Sequence, residues 1–507
     1  MKFVTKIITY FEEHSAPMSN FIAVFLFTVL CRNFFEMYAT GQDDHLLQVL
    51  TYSPFYIGLA SWLILLMQLL TGESVIKVSR VVLPFFLLIL LPPVADLLLG
   101  GGTQVRMRYI AVTNVTDMIR KFFTWLDPCI SVGQRIEIAL VIICSFFYFK
   151  TKCRSWIKSI FSAILIYASI FLFGIFMFLL NTAFQWLQLN YVADNIFLLP
   201  RFYFIITLFC LSIIYYRHNK KVFIALLKDI RPLRMLHFIL MLLLGFILYL
   251  KDASLQEKYP LILNNANIFL FPLVIISGIF AGIYSIITNN IEDIEADKIS
   301  NPDRPLVRHA IAPDSYKRIA WVSLLISLLA ACLAGKSCFI FMSLTIGAYY
   351  IYSNPPFKLK RIPFLAKFMI GLGSFFMALL GFNLFGAAVL AFPLNWLFYI
   401  LLPLPLAGNF IDLKDYKGDK ATGIITLPVL LGMRNARLLI AFFTLCCYIT
   451  LYFILKKSVE YVWLPVPFAL FACAQLFFLF KKDYKELPIF LIYLSGMGCM
   501  LALLYYA

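Results

Sequence analysis

Apolar runs of about 20 residues recur from one end of this 507-residue chain to the other, and each is long enough to cross a bilayer as a helix. Hydropathy of that kind sets the class before any motif is read. A large soluble core would need a polar face on each helix, and most of these runs have none. The residues are 62% hydrophobic and 14% charged, whereas soluble domains run nearer half apolar and a quarter charged. The fold class expected is an all-α polytopic membrane protein.

Six runs precede residue 218, near 20–37, 50–71, 79–99, 133–149, 157–180 and 199–217. A basic stretch from His218 to Arg234 follows. Nine more runs come next, near 235–250, 266–288, 317–334, 337–353, 364–387, 389–408, 436–455, 461–480 and 487–506. The basic stretch is the natural boundary between residues 1–217 and 218–507.

Lys and Arg collect in alternate loops. One set holds Lys77 and Arg80, then Lys150, Lys152, Arg154 and Lys158, then Lys220 to Arg234. The same side carries Lys298 to Arg318, Lys358 to Lys367, Lys414 to Arg434 and Lys481 to Lys485. Exceptions are Lys456 with Lys457, and a loop holding Arg106, Arg108, Arg120 and Lys121. Positive-inside counting puts the N-terminus inside and the C-terminus outside. The net charge of +17 then reads as topology and attraction to anionic lipid heads, not as nucleic-acid binding. The 11 Cys form neither a disulfide framework nor CxxC metal pairs. Cys144, Cys210, Cys446, Cys447 and Cys473 lie inside apolar runs and read as small apolar residues. The N-terminal MKFVTKIITYFEEHSAP does not read as a cleaved signal peptide. Oligomeric state has no signature.

Two acidic clusters carry the chemistry. The first is TNNIEDIEADKISNPDRPL, Thr288 to Leu306. Asn289, Asp293 and Asp297 stand at i, i+4 and i+8, which on a helix is one face. The second is GNFIDLKDYKGDKATGIITLPVLLG, Gly408 to Gly432. There Asp412, Asp415 and Asp419 stand at i, i+3 and i+7, again one face. Both clusters sit at the same expected end of a span. If the two helix ends face each other, five Asp and an Asn line one cavity, and divalent cations would offset a charge that is costly near a membrane. Mg²⁺ fits best, because it takes a few carboxylates and keeps positions for water and substrate phosphate. Lys298, Arg304, Lys358, Lys360 and Lys420 are near enough in sequence to neutralise phosphate oxygens. One DxxxD would be weak evidence, since cytosolic loops often carry mixed charge. Two in phase on one side point to a diphosphate substrate.

At these residues the chain resembles the UbiA-type prenyltransferase superfamily. Asn289, Asn290, Asp293 and Asp297 match its NDxxDxxxD motif, with Asn290 where Asp is usual. Asp415 and Asp419 match its second motif, DxxxD, and Asp412 is the extra upstream acid of some branches. YSNPPFKLKR, Tyr352 to Arg361, resembles the loop between the motifs. NPDRPL, Asn301 to Leu306, and GIITLPVLLG, Gly423 to Gly432, resemble segments that follow them. The resemblance covers roughly residues 220–507.

It implies a bundle of about nine helices preceded here by six extra ones. It also implies Mg²⁺-dependent transfer of a prenyl group from a prenyl diphosphate to a lipophilic acceptor, through an allylic carbocation, on the cytoplasmic side. Asp293, Asp297, Asp415 and Asp419, with Asp412, would hold two Mg²⁺. Asn289 would orient metal or diphosphate. Tyr352 would offer a π face to the cation, although an interfacial Tyr at a span end is as ordinary. The missing charge at Asn290 weakens metal binding or marks a position that is no ligand. Glu292 and Glu295 point away from the Asp293 face. His309, a lone loop histidine, reads as a bystander, and no general base stands out.

The acceptor expected is aromatic and quinone-precursor-like, with a glycerol-phosphate-type lipid as the alternative. A transporter is the reading from a different class, yet carriers place their acids near the bilayer midplane, and these lie at span ends. A CDP-alcohol phosphotransferase lacks its DGxxAR here. Haem farnesylation is disfavoured by NPDRPL. Residues 1–217 match no family. Arg32, Glu36, Asp96, Arg106, Arg108, Arg135 and Glu137 gather at their outer side, and ionisable residues near spans are functional candidates, unless they pair with each other or snorkel. An accessory module is expected there.

Overall fold

The computed structural model describes residues 1–40, 45–99, 112–123, 131–153, 155–189, 197–258, 261, 267–457 and 463–506. Arg106, Arg108 and Arg154 lie outside them. The described residues form helices joined by turns and short loops, with no strand among them. Among the described residues thirteen helices are long and apolar enough to cross a membrane, so the protein is an integral, multi-pass one.

The fifteen expected runs all carry helix, but two fall short of that span criterion. Pro465–Phe480 is apolar and only 16 residues long. Lys336–Ser353 carries Lys336 and three tyrosines in its last turns, which lower its hydropathy. The run near 389–408 is broken into short pieces around Pro403 and Pro405, as proline's missing N–H demands.

Contacts divide the chain into two compact units. One comprises Met1–Lys220 with Leu263–Phe269, and the other Lys221–Ile262 with Leu270–Ala507. In the first, the helices His45–Thr71, Val75–Phe85, Val132–Cys153 and Trp156–Gly174 surround an aromatic-rich core that includes Phe25, Tyr56, Phe86, Tyr148 and Phe149. Lys152 closes this core at one end, between Glu12 at 2.7 Å and Glu73 at 3.0 Å.

In the second unit, lipid removes most of the hydrophobic drive between helices, so close approach and polar contacts must hold them. The Pro232–Lys251 and Leu365–Asn383 helices meet through glycine on both sides. A Cβ at Gly245 would lie 1.8 Å from the Ala378 carbonyl oxygen, and one at Gly381 1.9 Å from that of Leu242. The Leu270–Glu292 and Pro313–Ala334 helices are tied by Ser277 and Ser327, each hydroxyl donating to the other's carbonyl at 2.8 Å. The serine pair holds the helix whose end carries the first acidic cluster.

Candidate active site

The first acidic cluster straddles a break. The Leu270–Glu292 helix stops, Asp293 takes non-helical angles, and a short helix runs Ile294–Ser300. The i→i−4 bonding nevertheless continues, from Asp293 N to Asn289 O at 2.9 Å and from Asp297 N to Asp293 O at 2.8 Å. Phase is therefore kept, and Asn289, Asp293 and Asp297 all face one cavity. The second cluster lies on the Asp412–Thr422 helix, which Gly423 ends at φ 72°, the left-handed cap that glycine adopts without strain. Asp412, Asp415 and Asp419 face the same cavity.

Asn301 and Ser300 join the clusters. The Asn301 amide donates to Asp297 Oδ1 at 3.1 Å and to Asp415 Oδ1 at 3.0 Å. Gly418 N donates to Ser300 Oγ at 3.0 Å. Gly418 is required there, because a Cβ would sit 2.7 Å from the Ala296 carbonyl oxygen.

Cations stand on the carboxylates. Lys360 Nζ lies 2.5 Å from Asp293 Oδ1 and donates to Asn289 Oδ1 at 3.2 Å. Arg304 pairs with Asp297, and Lys367 lies 2.8 Å from Asp412. Burial pushes the Asp297 carboxyl up to about 6, although Arg304 and Asn301 draw it down. Burial also pulls the Lys360 ammonium below its ordinary value, while Asp293 opposes that shift. In this arrangement no three acidic, imidazole or thiol groups converge on one point among the described residues. Each of the five Asp carboxylates is engaged, by a cation or an amide or, for Asp419, by the Thr426 hydroxyl at 3.4 Å.

The cavity has a volume of about 280 Å³. Its polar end carries those five Asp together with Arg231, Arg234, Arg304, Lys360 and Lys367. Its depth is apolar, with Met235, Met342, Ile346 and Met377 in the wall. Tyr352 lines it as well. Three further wall residues form a chain: His237 Nε2 lies 2.9 Å from Ser374 Oγ, and His237 Nδ1 lies 2.9 Å from Tyr493 Oη.

Several expected side chains stand elsewhere. Lys298 is exposed and paired with Glu295 at 2.7 Å, one position round the helix from the Asp297 face. Lys358 pairs with Glu292 at 2.8 Å, and Lys420 lies exposed over the Tyr416 ring. None of the three is in the cavity wall. Lys358 at φ 48° and Phe364 at φ 63° are left-handed bends that few side chains adopt freely. They shape the loop so that Lys360 turns inward and Lys358 outward. Asn290 is buried and also outside the wall. It donates to Asp229 at 3.0 and 3.2 Å and to Tyr316 at 2.9 Å, and accepts from Arg231 at 3.0 Å and Arg304 at 2.7 Å. It is a junction behind the site. Glu292, Glu295 and His309 lie outside the wall, as expected.

Sequence reasoning did not single out Lys367, Arg231, Arg234, Asn301, His237 or Tyr493. Asn301 had a signal, since it stands i+4 from Asp297. The others come from elements remote in sequence and had none.

Residues 258–496 match the model of the UbiA prenyltransferase family, a narrower stretch than the resemblance noted above. A digeranylgeranylglyceryl phosphate synthase of Sulfolobus acidocaldarius is 32% identical over 171 residues, 33% of this chain and 59% of that protein. A chloroplastic 2-acyl-4-prenylphloroglucinol 6-prenyltransferase of Humulus lupulus is 30% identical over 215 residues, 37% of this chain and 50% of that protein. The chain thus spans less than two thirds of the length of these curated relatives. A UbiA homolog from Archaeoglobus fulgidus, solved with DMAPP and Mg²⁺, aligns at 21% identity and a TM-score of 0.42, over 55% of this chain and 96% of that one. The C-terminal part of the chain is a UbiA prenyltransferase family domain.

Proposed function

We propose that this domain transfers a prenyl group from a prenyl diphosphate to the hydroxyl of a glycerol-phosphate-type lipid, at the cytoplasmic face of the membrane. The observation that carries the reading is the Asn301 amide held between Asp297 and Asp415. It makes one diphosphate-sized polar pocket of two clusters more than a hundred residues apart in sequence, at the head of an apolar cavity.

The donor set fits a hard divalent cation, since it is all carboxylate and carboxamide oxygen. Asp293, Asp297, Asp415 and Asp419 would hold two Mg²⁺, with Asp412 and Asn289 beside them. When bound, the metal supplies charge to neutralise the leaving pyrophosphate. Lys360 and Arg304 trade a carboxylate for a diphosphate oxygen, keeping a charge-assisted bond in either state. The apolar wall takes the isoprenoid chain and keeps water from the allylic carbon. Tyr352 presents its ring at the same wall.

The reaction breaks the C1–O bond, with the electron pair leaving on pyrophosphate, and forms a bond from C1 to the acceptor oxygen. The acceptor's proton needs a destination. Ser374 Oγ donates to the Ile370 carbonyl at 3.0 Å, the usual bond of a helical serine. Its lone pair then accepts from His237 Nε2–H, which leaves Nδ1 as an acceptor for the Tyr493 hydroxyl. The acceptor's proton passes to Tyr493 Oη as the Tyr493 proton passes to His237 Nδ1.

Support for the glycerol-phosphate acceptor over the aromatic one comes from the relatives, among which digeranylgeranylglyceryl phosphate synthases recur, and from Arg231 and Arg234, which add cations at the polar end for an acceptor phosphate. Residues 1–217 are an accessory module of the same protein. The test is pyrophosphate release by the purified chain with Mg²⁺, labelled prenyl diphosphates and a panel of glycerol-phosphate and aromatic acceptors. Release that needs metal and is lost in Asp293→Ala and Asp415→Ala is expected. Unchanged release in both variants refutes the reading, and transfer to aromatic acceptors alone refutes the acceptor.

A further inference from the structure

The N-terminal unit contains a cavity of its own, with a volume of about 400 Å³, within the range of small-molecule sites. It is elongated. On the Val132–Cys153 helix, Gln134, Glu137, Val141, Cys144 and Tyr148 line it, a stripe that recurs every three or four residues along one face. From Gln134 to Tyr148 that stripe rises about 21 Å, most of the thickness of a bilayer's hydrocarbon. The space beside that stripe is long enough for an extended hydrocarbon chain.

The tube has a polar end. Gln134, Glu137 and Arg32 line it there, while Ile8 and Tyr148 line the other end. Arg32 is held by Glu36 at 2.6 Å. Glu137 is partly buried and faces the tube. No hydrogen-bond donor to its carboxyl stands among the described residues. A carboxyl without a donor in a membrane span marks a functional position by default. The wall beside it is aromatic, with Phe55, Tyr56, Phe85 and Phe171.

We propose that this unit binds an amphiphile whose head is a hydroxyl. The chain lies along the aromatic tube, and the hydroxyl donates to Glu137. A carboxylate or phosphate head would repel Glu137. The aromatic wall suits an unsaturated prenyl chain. This site is independent of the prenyl-transfer reading.

The experiment uses the full-length protein in nanodiscs with a photoactivatable farnesol analogue, and maps the labelled peptides by mass spectrometry. Saturable labelling of the Val132–Cys153 helix is expected, displaced by farnesol and not by palmitic acid. Glu137→Leu weakens it at least tenfold, whereas Glu137→Gln, which still accepts a hydrogen bond, stays within about threefold. Val141→Trp blocks the tube without touching the head site and abolishes labelling even if Glu137→Leu folds poorly. Asp415→Asn leaves labelling of this helix unchanged, which separates it from capture by the other cavity. Unsaturable labelling, equal displacement by palmitic acid, or labelling unaffected by both Glu137→Leu and Val141→Trp overturns the proposal.

Discussion

Gly418→Ala is the sharpest structural test of how the two acidic clusters are held together. The added methyl would sit 2.7 Å from the Ala296 carbonyl oxygen and 2.5 Å from Ser300 Oγ, where ordinary contact begins at 3.4 Å. Ser300 cannot swing aside freely, since its hydroxyl accepts from Gly418 N and donates towards the Asp415 carbonyl at 3.4 Å. The Ala296 oxygen is backbone. The Ile294–Ser300 and Asp412–Thr422 helices must therefore part by several tenths of an ångström, and Asp297 and Asp415 part with them. Overpacking of this kind costs about 1–3 kcal/mol of stability, which leaves the bundle folded. Catalysis feels it more, because a misplacement approaching an ångström costs roughly a hundredfold. Measured as metal-dependent pyrophosphate release, kcat/KM should fall about a hundredfold while the unfolding temperature drops by only a few degrees. A Gly418→Ala protein within threefold of wild type would refute the close packing of the two helices.

Other substitutions separate the wall from its surroundings. Lys298→Ala, Lys358→Ala and Lys420→Ala should each leave kcat/KM within about threefold, whereas Lys360→Ala and Arg304→Ala should lose on the order of a hundredfold, as for removal of one charge-stabilising donor. Asn290→Asp should not improve the Mg²⁺ concentration dependence of turnover, since the side chain points at Asp229 and Tyr316 and away from the cavity. A marked gain in metal affinity would contradict that placement. Tyr493→Phe should lower transfer to the acceptor by about 10²–10⁴ yet leave slow acceptor-independent hydrolysis of the donor intact. Equal loss of both would contradict the proton route through Tyr493 and His237.

The membrane class and the acidic wall were legible because each rests on a local pattern. Apolar runs of span length report themselves, and Asp residues three or four apart lie on one helical face whatever surrounds them. The break at Asp293 did not disturb that logic, because the i→i−4 bonding runs through it. Cation assignments were less legible for an equally physical reason. Lys298, Lys358 and Lys420 are close in sequence to the acids, but side-chain direction depends on the helix face or on the left-handed bends at Lys358 and Phe364, and proximity along the chain carries no direction. Lys367, His237 and Tyr493 reach the wall from separate helices that pack through Gly245, Gly381 and other tertiary contacts. The motif leaves Asn290 either a weakened metal ligand or no ligand at all, and its neighbours Asp229, Arg231, Tyr316 and Arg304 make it a buried junction. The tube in the N-terminal unit has no motif at all, and Glu137 was visible only as an acid near a span.

The account rests on Asp297 and Asp415 acting on one bound diphosphate. The most direct measurement is a double-mutant cycle with Asp297→Asn and Asp415→Asn, reading Mg²⁺-dependent binding of a non-cleavable prenyl thiodiphosphate by calorimetry. The account predicts that each single variant loses at least tenfold in affinity and that the double variant loses little more than either, a coupling above about 1 kcal/mol. Losses that simply add, to within about 0.5 kcal/mol, would mean that the two clusters do not share a ligand.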